Sequence, residues 1–397
     1  MGILSNMNIS EFLAYPIMNH DRISLLELFI IGTWKPFLFC IVICLFAFTF
    51  SAHAQHDLLI DDSFGAPFRI RDYTFPSFLV LGFAPAPVAP LGRGHSAIEL
   101  HYSVVSNFQV SSEVENYLEQ SRAGARRPLD NADVAFILGL PQGQSYYIDG
   151  EFSMMEFVVH WGLTDRLDLG VGVNYIHYGG SLLDGFIFDV HDAAGVGQQG
   201  RDYVSDDYVQ VVLGRDGGQD VVLLDRPTDG GLSDPSIFLR YAFPGKDGWN
   251  FNFATGIKIP LADENKFLST GSWDIGFQLA IDKRFTRDVL IFNFGAVLPG
   301  EFKQTNFNPP TLPFINVNWI HKYKNWTNTR FFLQAFLAEH PYRELVDSEL
   351  SDLEIQVTVG LKWDTSLGVI GLGLTENFLN FDNTPDIGLH LTWGILK

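Results

Sequence analysis

Leu167-Asp168-Leu169-Gly170-Val171-Gly172-Val173-Asn174-Tyr175 carries an apolar or aromatic residue at every odd position and a polar residue or glycine at every even one. Successive side chains of a strand point to opposite faces, so one face of this segment suits hydrocarbon and the other suits water. A strand buried in a soluble core would not set glycine, asparagine and acid opposite its apolar face. The turn before it, Gly162-Leu163-Thr164-Asp165-Arg166, is short and has Trp161 at its lip.

The same alternation recurs in 249–259, 273–281, 353–361 and 387–393, with less regular strands at 98–108, 235–242, 289–298, 314–323, 329–338 and 367–377. A further strand around Met154-Met155 changes phase, which predicts a bulge there. Short connections (162–166, 243–248, 283–288, 324–328, 364–366) alternate with long ones, the largest being 109–145 and 179–234. Tight turns on one rim and long loops on the other predict an all-β chain: a closed antiparallel transmembrane β-barrel of about twelve strands, with both ends in the periplasm. Trp161, Trp249, Trp363 and Trp393 then form an aromatic girdle at the periplasmic rim. A periplasmic β-sandwich also alternates, but its turns would not sort by length into two rims.

The start of the chain agrees with this address. Lys35 precedes an uncharged apolar run, 37–50, and Ala52-His53-Ala54 supplies a small-x-small cleavage site, so residues 1–54 read as a leader with a signal peptide whose start is over-extended. Residues 55–95 form a proline-rich segment that lies as a strap across the periplasmic mouth or enters the lumen as a plug. Residues 96–397 form the barrel. Cys40 and Cys44 both fall in the leader, which removes disulfides and thiol chemistry from the mature chain. The chain has 26 basic and 46 acidic residues and a net charge of −20, which argues against nucleic acid as a partner. The expected partners are lipid of a Gram-negative outer membrane and, during insertion, the barrel-assembly machinery.

By this phase the inward residues are Glu99, His101, Asp149, Glu151, Asp168, Arg240, Lys258, Asp274, Gln278, Arg330, Gln334, Glu354, Lys362 and His390. Charges in an enclosed lumen need water or partners, so these either line an aqueous path or pair across a filled interior. Loop 181–208 holds Asp184, Asp189, Asp192, Asp202, Asp206 and Asp207, oxygen ligands of the kind Ca²⁺ takes, without an EF-hand register; a solvated acidic loop explains them as well. Two alternating runs in 208–224 flank Gly217-Gly218 and predict a hairpin above the barrel. Hydrolysis has thin support: His101 with Ser103 on one strand face, Asp189 with His191, and Glu339 with His340 supply residue types without an identified orienting partner. No catalytic residue and no cofactor is expected.

Four phrases, 161–171, Leu232-Ser233-Asp234-Pro235, Lys258-Ile259-Pro260-Leu261 and Ser269-Thr270-Gly271-Ser272-Trp273-Asp274, resemble an uncharacterised bacterial outer-membrane β-barrel family, domain of unknown function 3187, over most of the mature chain. The resemblance implies the barrel and brings no activity. The expected function is a passive channel or small-solute transporter. The alternative is a structural or surface-binding protein acting through its acidic loops, with an outer-membrane hydrolase behind it.

Overall fold

The computed structural model describes residues 66–85, 89–122, 124–179, 183–194, 197–215, 220–324, 328–342, 350, 353–376 and 384–396. The leader, the cleavage site and Gly217-Gly218 lie outside them. Twelve long strands close on one another: β1 (Ser96–Val110), β2 (Tyr146–Gly162), β3 (Leu167–Tyr178), β7 (Ser236–Lys246), β8 (Trp249–Lys258), β9 (Asp274–Arg284), β10 (Asp288–Leu298), β11 (Leu312–Lys322), β12 (Thr329–Ala338), β13 (Glu354–Thr365), β14 (Gly368–Glu376) and β15 (Ile387–Leu396). Each pairs antiparallel with the next, and β1 pairs with β15 from Ala97↔Leu396 to Ser106↔Ile387, so the twelve-strand barrel closes on itself. Closure satisfies every ladder group without water.

Alternation is realised as the sequence pattern predicts. Outward residues such as Leu239, Phe253, Phe277, Phe294, Ile315, Leu333 and Leu372 are exposed apolar side chains, while Asn252, Asp274, Gln278, Asn293 and Lys362 between them point inward and are buried. Tight turns mark one rim; Asp247-Gly248, with φ of 53° and 78°, is the two-residue positive-φ turn that an Asp-Gly pair favours in hairpins. Trp161 and Trp249 are exposed at this rim, and Trp393 there donates its indole N–H to the Leu367 carbonyl.

At the long-loop rim β1 and β2 continue past the barrel, and their overhang is extended by β4 (Gln210–Leu213) and β5 (Val221–Leu223), the predicted hairpin. A short strand, β6 (Gly230–Leu232), pairs antiparallel with the end of β3. The connection 111–145 contains two helices, α1 (Ser112–Arg122) and α2 (Asn131–Leu138), where the strand pattern predicts only a loop. Their apolar side chains Val114, Leu118 and Ile137 pack with Phe108, Tyr147 and Val212 on the outer side of the overhang. Asp130 caps α2 by accepting from Ala132 N and Asp133 N, and these backbone N–H groups hold its carboxyl below the usual range. A third helix, α3 (Asp184–Ala194), lies in the second large loop.

Candidate functional site: a lumen closed by a re-entrant plug

Residues 66–85 lie inside the barrel. The segment starts near the short-turn rim, where Lys362 Nζ donates to the carbonyls of Ala66 (2.8 Å) and Pro67 (3.0 Å) and sits over the Phe68 ring. Phe68 occupies a notch that only glycine leaves open: a Cβ on Gly360 would stand 2.5 Å from its ring. Its backbone is clamped by Gln334, which accepts from Phe68 N at 2.9 Å and donates to Phe68 O at 3.1 Å. Arg69 pairs with Glu156 and Glu99, the Tyr73 hydroxyl meets Ser103 Oγ at 3.1 Å, and Thr74 Oγ1 donates to Glu354 at 3.1 Å.

The segment turns at the long-loop end through a short 3-10 helix, Ser77–Leu79, whose Phe78 stacks on Phe152 with ring centroids 4.2 Å apart. It then descends. Lys258 Nζ donates to Leu79 O (2.8 Å) and Thr270 Oγ1 (2.7 Å) and faces Asp274 Oδ2 at 2.8 Å, while Asp274 accepts from Leu81 N at 2.9 Å. Asp234, 3.7 Å from Lys258, accepts from Leu261 N, Ala262 N and Ser269 Oγ. Phe83 fills the space beside Gly256 and Gly276. Further on, Leu91 N donates to Asp168, and Gly94 and Gly162 bond at the short-turn rim where β1 begins.

The plug places nine nearly fully buried apolar side chains, Phe68 to Phe83, against inward Val105, Phe152, Met154, Ile291, Phe314, Phe332 and Phe336. This corrects the expectation of a hydrophilic axis throughout: where the plug touches the wall, aromatic and aliphatic residues face inward. Apolar burial stabilises docking by about 2–3 kcal/mol per side chain and ordering the segment costs about 1–2 kcal/mol per residue. The two contributions are of similar size, so the polar ties decide whether the plug stays.

Of the inward residues expected from sequence, Glu99, His101, Asp168, Arg240, Lys258, Asp274, Gln278, Arg330, Gln334, Glu354, Lys362 and His390 do face the interior. At the short-turn end Arg240 pairs with Asp168, Arg330 with Asp364, and Arg69 with Glu99 and Glu156, around a cavity of about 220 Å³. At the centre Ser103 Oγ lies 3.2 Å from His101 Nε2 and 2.9 Å from His390 Nδ1, and His390 Nε2 continues to Thr375 at 2.7 Å. His340 approaches Glu354 (3.5 Å) rather than its neighbour Glu339.

Asp149 and Glu151 are a correction. The β1–β2 ladder runs through fifteen consecutive partners, from Ser96↔Trp161 to Val110↔Tyr147, with no bulge at Met154-Met155. Without a phase change Phe152, Met154 and Glu156 face in and Asp149 and Glu151 face out. The polarity changes because the surroundings do: plug aromatics cover the inner side of the overhang, and on its outer side polar loop groups meet Glu151 beside the apolar helix contacts of Phe108 and Tyr147. There Glu151 accepts from Leu183 N (2.7 Å), and buried Arg201 pairs with Asp184 (2.9 Å) and Asp386 and lies over the Phe108 ring. Burial raises the carboxyls of Asp184 and Asp386 above their ordinary range, against the pull of Arg201.

The other acidic residues of that loop form no ligand set. Asp206 pairs with Arg126 and lies near enough to Asp184 to act on its carboxyl, Asp207 N donates to Asp184 (3.4 Å), Asp192 accepts from Gln198, and Asp189 and Asp202 complete no metal-holding group with them. Among the described residues no three His, Cys, Asp or Glu side chains converge as a metal site. Glu156, His160 and Asp282 were missed inside the barrel, as were the plug's Arg69 and Arg71. Glu156 and His160 follow from the unbroken β2 register; Asp282 continues the even-numbered inward set of β9.

The sequence pattern of a family described as a protein of unknown function (DUF3187) matches residues 131–395. No curated protein matches the chain. Among solved structures, it is similar to Salmonella typhi OmpF in complex with daunomycin (8% identity, 76% of this chain and 97% of that one, TM-score 0.30). It is also similar to the P. putida toluene transporter TodX (12%, 77% and 89%, 0.33) and to the CymD monoaromatic hydrocarbon channel (8%, 77% and 88%, 0.32).

Proposed function

Taking as premise that the chain belongs to the DUF3187 family, which carries no assigned activity, we propose that it is a channel or small-solute transporter of the Gram-negative outer membrane, closed at rest by its own N-terminal segment. The exposed apolar belt outside the strands supports a lipid setting, with the tight turns on the periplasmic side. The observation that carries the reading is the polar attachment of the plug: Lys258, Asp274, Gln334, Lys362, Glu354 and Ser103 hold it through separate hydrogen bonds to a wall that closes without it. Such ties can be exchanged for water one by one.

The reading includes no enzymatic role. Ser103 and both its histidines are buried beneath Tyr73, where they serve as a hydrogen-bonded chain from plug to wall. Outer-membrane lipid and the barrel-assembly machinery are the partners it implies. Planar-bilayer recording tests it: infrequent conductance steps are expected from the purified protein and frequent ones from Lys258→Met. Absence of steps in both would sink the proposal in favour of a surface role for the loops above the barrel.

A further inference from the structure

Two adjacent rows of hydrogen-bonding side chains cross the inner wall, and they are used differently. The row Asn318↔Gln334↔Thr358↔Thr375 on β11 to β14 is consumed. Gln334 clamps Phe68 and bonds Asn318 at 2.6 Å, and Thr358 meets Thr375 at 2.5 Å. The next row toward the long-loop rim runs Asn252, Ala280, Asn293, Asn316, Phe336, Gln356 across β8 to β13. Asn293, Asn316 and Gln356 are at most 1% exposed, and among the described residues neither the amide nitrogen nor the amide oxygen of any of the three has a protein partner.

A buried polar atom without a partner is costly; in this row Asn293 and Asn316 stand side by side and Gln356 lies beyond Phe336, each with both amide atoms unpartnered among the described residues, as Gln109 also has in the overhang. We propose that this amide row is the binding stretch for a neutral, hydroxyl-rich solute, a small sugar or polyol, passing along the β10–β13 wall when the plug shifts. The inference rests on the channel reading above. Three features select the solute. The row contains no charged side chain, so an ion gains nothing from it. Each amide presents a donor and an acceptor together, matching a hydroxyl that is both. Phe336, within the row, and Phe314 beside it lie nearly parallel (22°) along a cavity of about 40 Å³ that the plug's Gly82 and Phe83 close and that Arg71, Asp72 and Glu339 also line; the two rings offer an apolar surface to the C–H face of a sugar ring.

Swelling of liposomes loaded with the full chain, in isosmotic arabinose or in KCl, tests this in the wild type and in the Lys258→Met background. Replacing the row by Asn293→Leu, Asn316→Leu and Gln356→Leu is expected to slow arabinose entry about tenfold, the factor of roughly one hydrogen bond, with KCl conductance within about twofold. Should that variant not fold, Asn293→Asp with Asn316→Asp keeps the shape and is expected to slow arabinose while turning the reversal potential cation-selective. Unchanged arabinose entry, with or without a gain in thermal stability, overturns the amide inference and leaves the channel standing. So does a wild type that passes KCl but not arabinose. Proteins that pass neither solute overturn the channel reading and this inference with it.

Discussion

Lys258→Met isolates the tie between plug and wall. The ammonium makes three short contacts, to Leu79 O, Thr270 Oγ1 and Asp274, but only the first belongs to the plug. A hydrogen bond from a charged donor contributes about 1.5–3 kcal/mol, which corresponds to a rise of about 10- to 150-fold in the undocked fraction of the descending limb. Asp274 retains Leu81 N and Gly300 N, and Asp234 retains its three donors, so the barrel keeps its acceptors satisfied while two carboxylates lose their cation. Removing one partner of a buried pair costs about 3–5 kcal/mol of overall stability. Hydrogen exchange of the protein in detergent separates the two effects. Protection of the Leu81 amide should fall by the stated factor while strand amides of β10 and β11 change only as the global unfolding free energy does. Asp274→Asn added to Lys258→Met should recover part of the global loss but not the protection of Leu81. If Leu81 and the β10 amides lose protection in equal measure, plug and barrel open as one unit and the argument for a separately movable plug is refuted.

Further consequences are as direct. Gly360→Ala forces the Phe68 ring out of its notch, with the Leu372 carbonyl leaving the new methyl nowhere else to go; a loss of about 1–3 kcal/mol is expected in urea unfolding, and an unchanged midpoint would contradict the packing. Arg201→Met strands Asp184 and Asp386 and should expose the 183–209 loop to protease while the barrel stays heat-modifiable on gels, at about 3–5 kcal/mol. Because burial raises both carboxyls, their contribution to the docked loop is present below the ordinary carboxylate range and is lost as pH rises through their folded values, so the wild-type loop should become more protease-sensitive with rising pH, not with acid. An organophosphonate probe should leave Ser103 unlabelled in the folded protein, since labelling requires access that Tyr73 denies.

The barrel was legible because lipid enforces alternation over whole strands, and because turn length sorts the rims: the β3 and β8 patterns placed Asp168 and Lys258 inward, where the structure has them. Asp149 and Glu151 were misread for the same physical reason. Alternation reports which residues share a face, not what covers it, and above the barrel the cover changes from lipid to loop while β2 continues without a slip. The plug's route was out of reach, since its stretch has no period and its anchors lie far along the chain, Phe68 and Gln334 being 266 positions apart. The helices of the first loop did leave a signal: Asp130 and Asp133 stand at capping-box spacing, and Val114 and Leu118 are four apart.

The phrases that marked the family also acquire a physical meaning from their positions. Asp234, Lys258, Thr270 and Asp274 come from three of them, on three stretches of chain, and meet at one buried cluster whose bonds to the plug go to Leu79 and Leu81. The fourth contributes Asp168, which holds Leu91 as the chain returns to the rim. A barrel does not need these residues to close, because its ladders are complete without them. In this chain, residues of all four phrases therefore take part in attaching the N-terminal segment as well as in forming strands and turns. Variants at these positions should divide from outward-facing ones by changing conductance rather than insertion, and an Asp168→Asn barrel that inserts normally yet gates as the wild type would break that link.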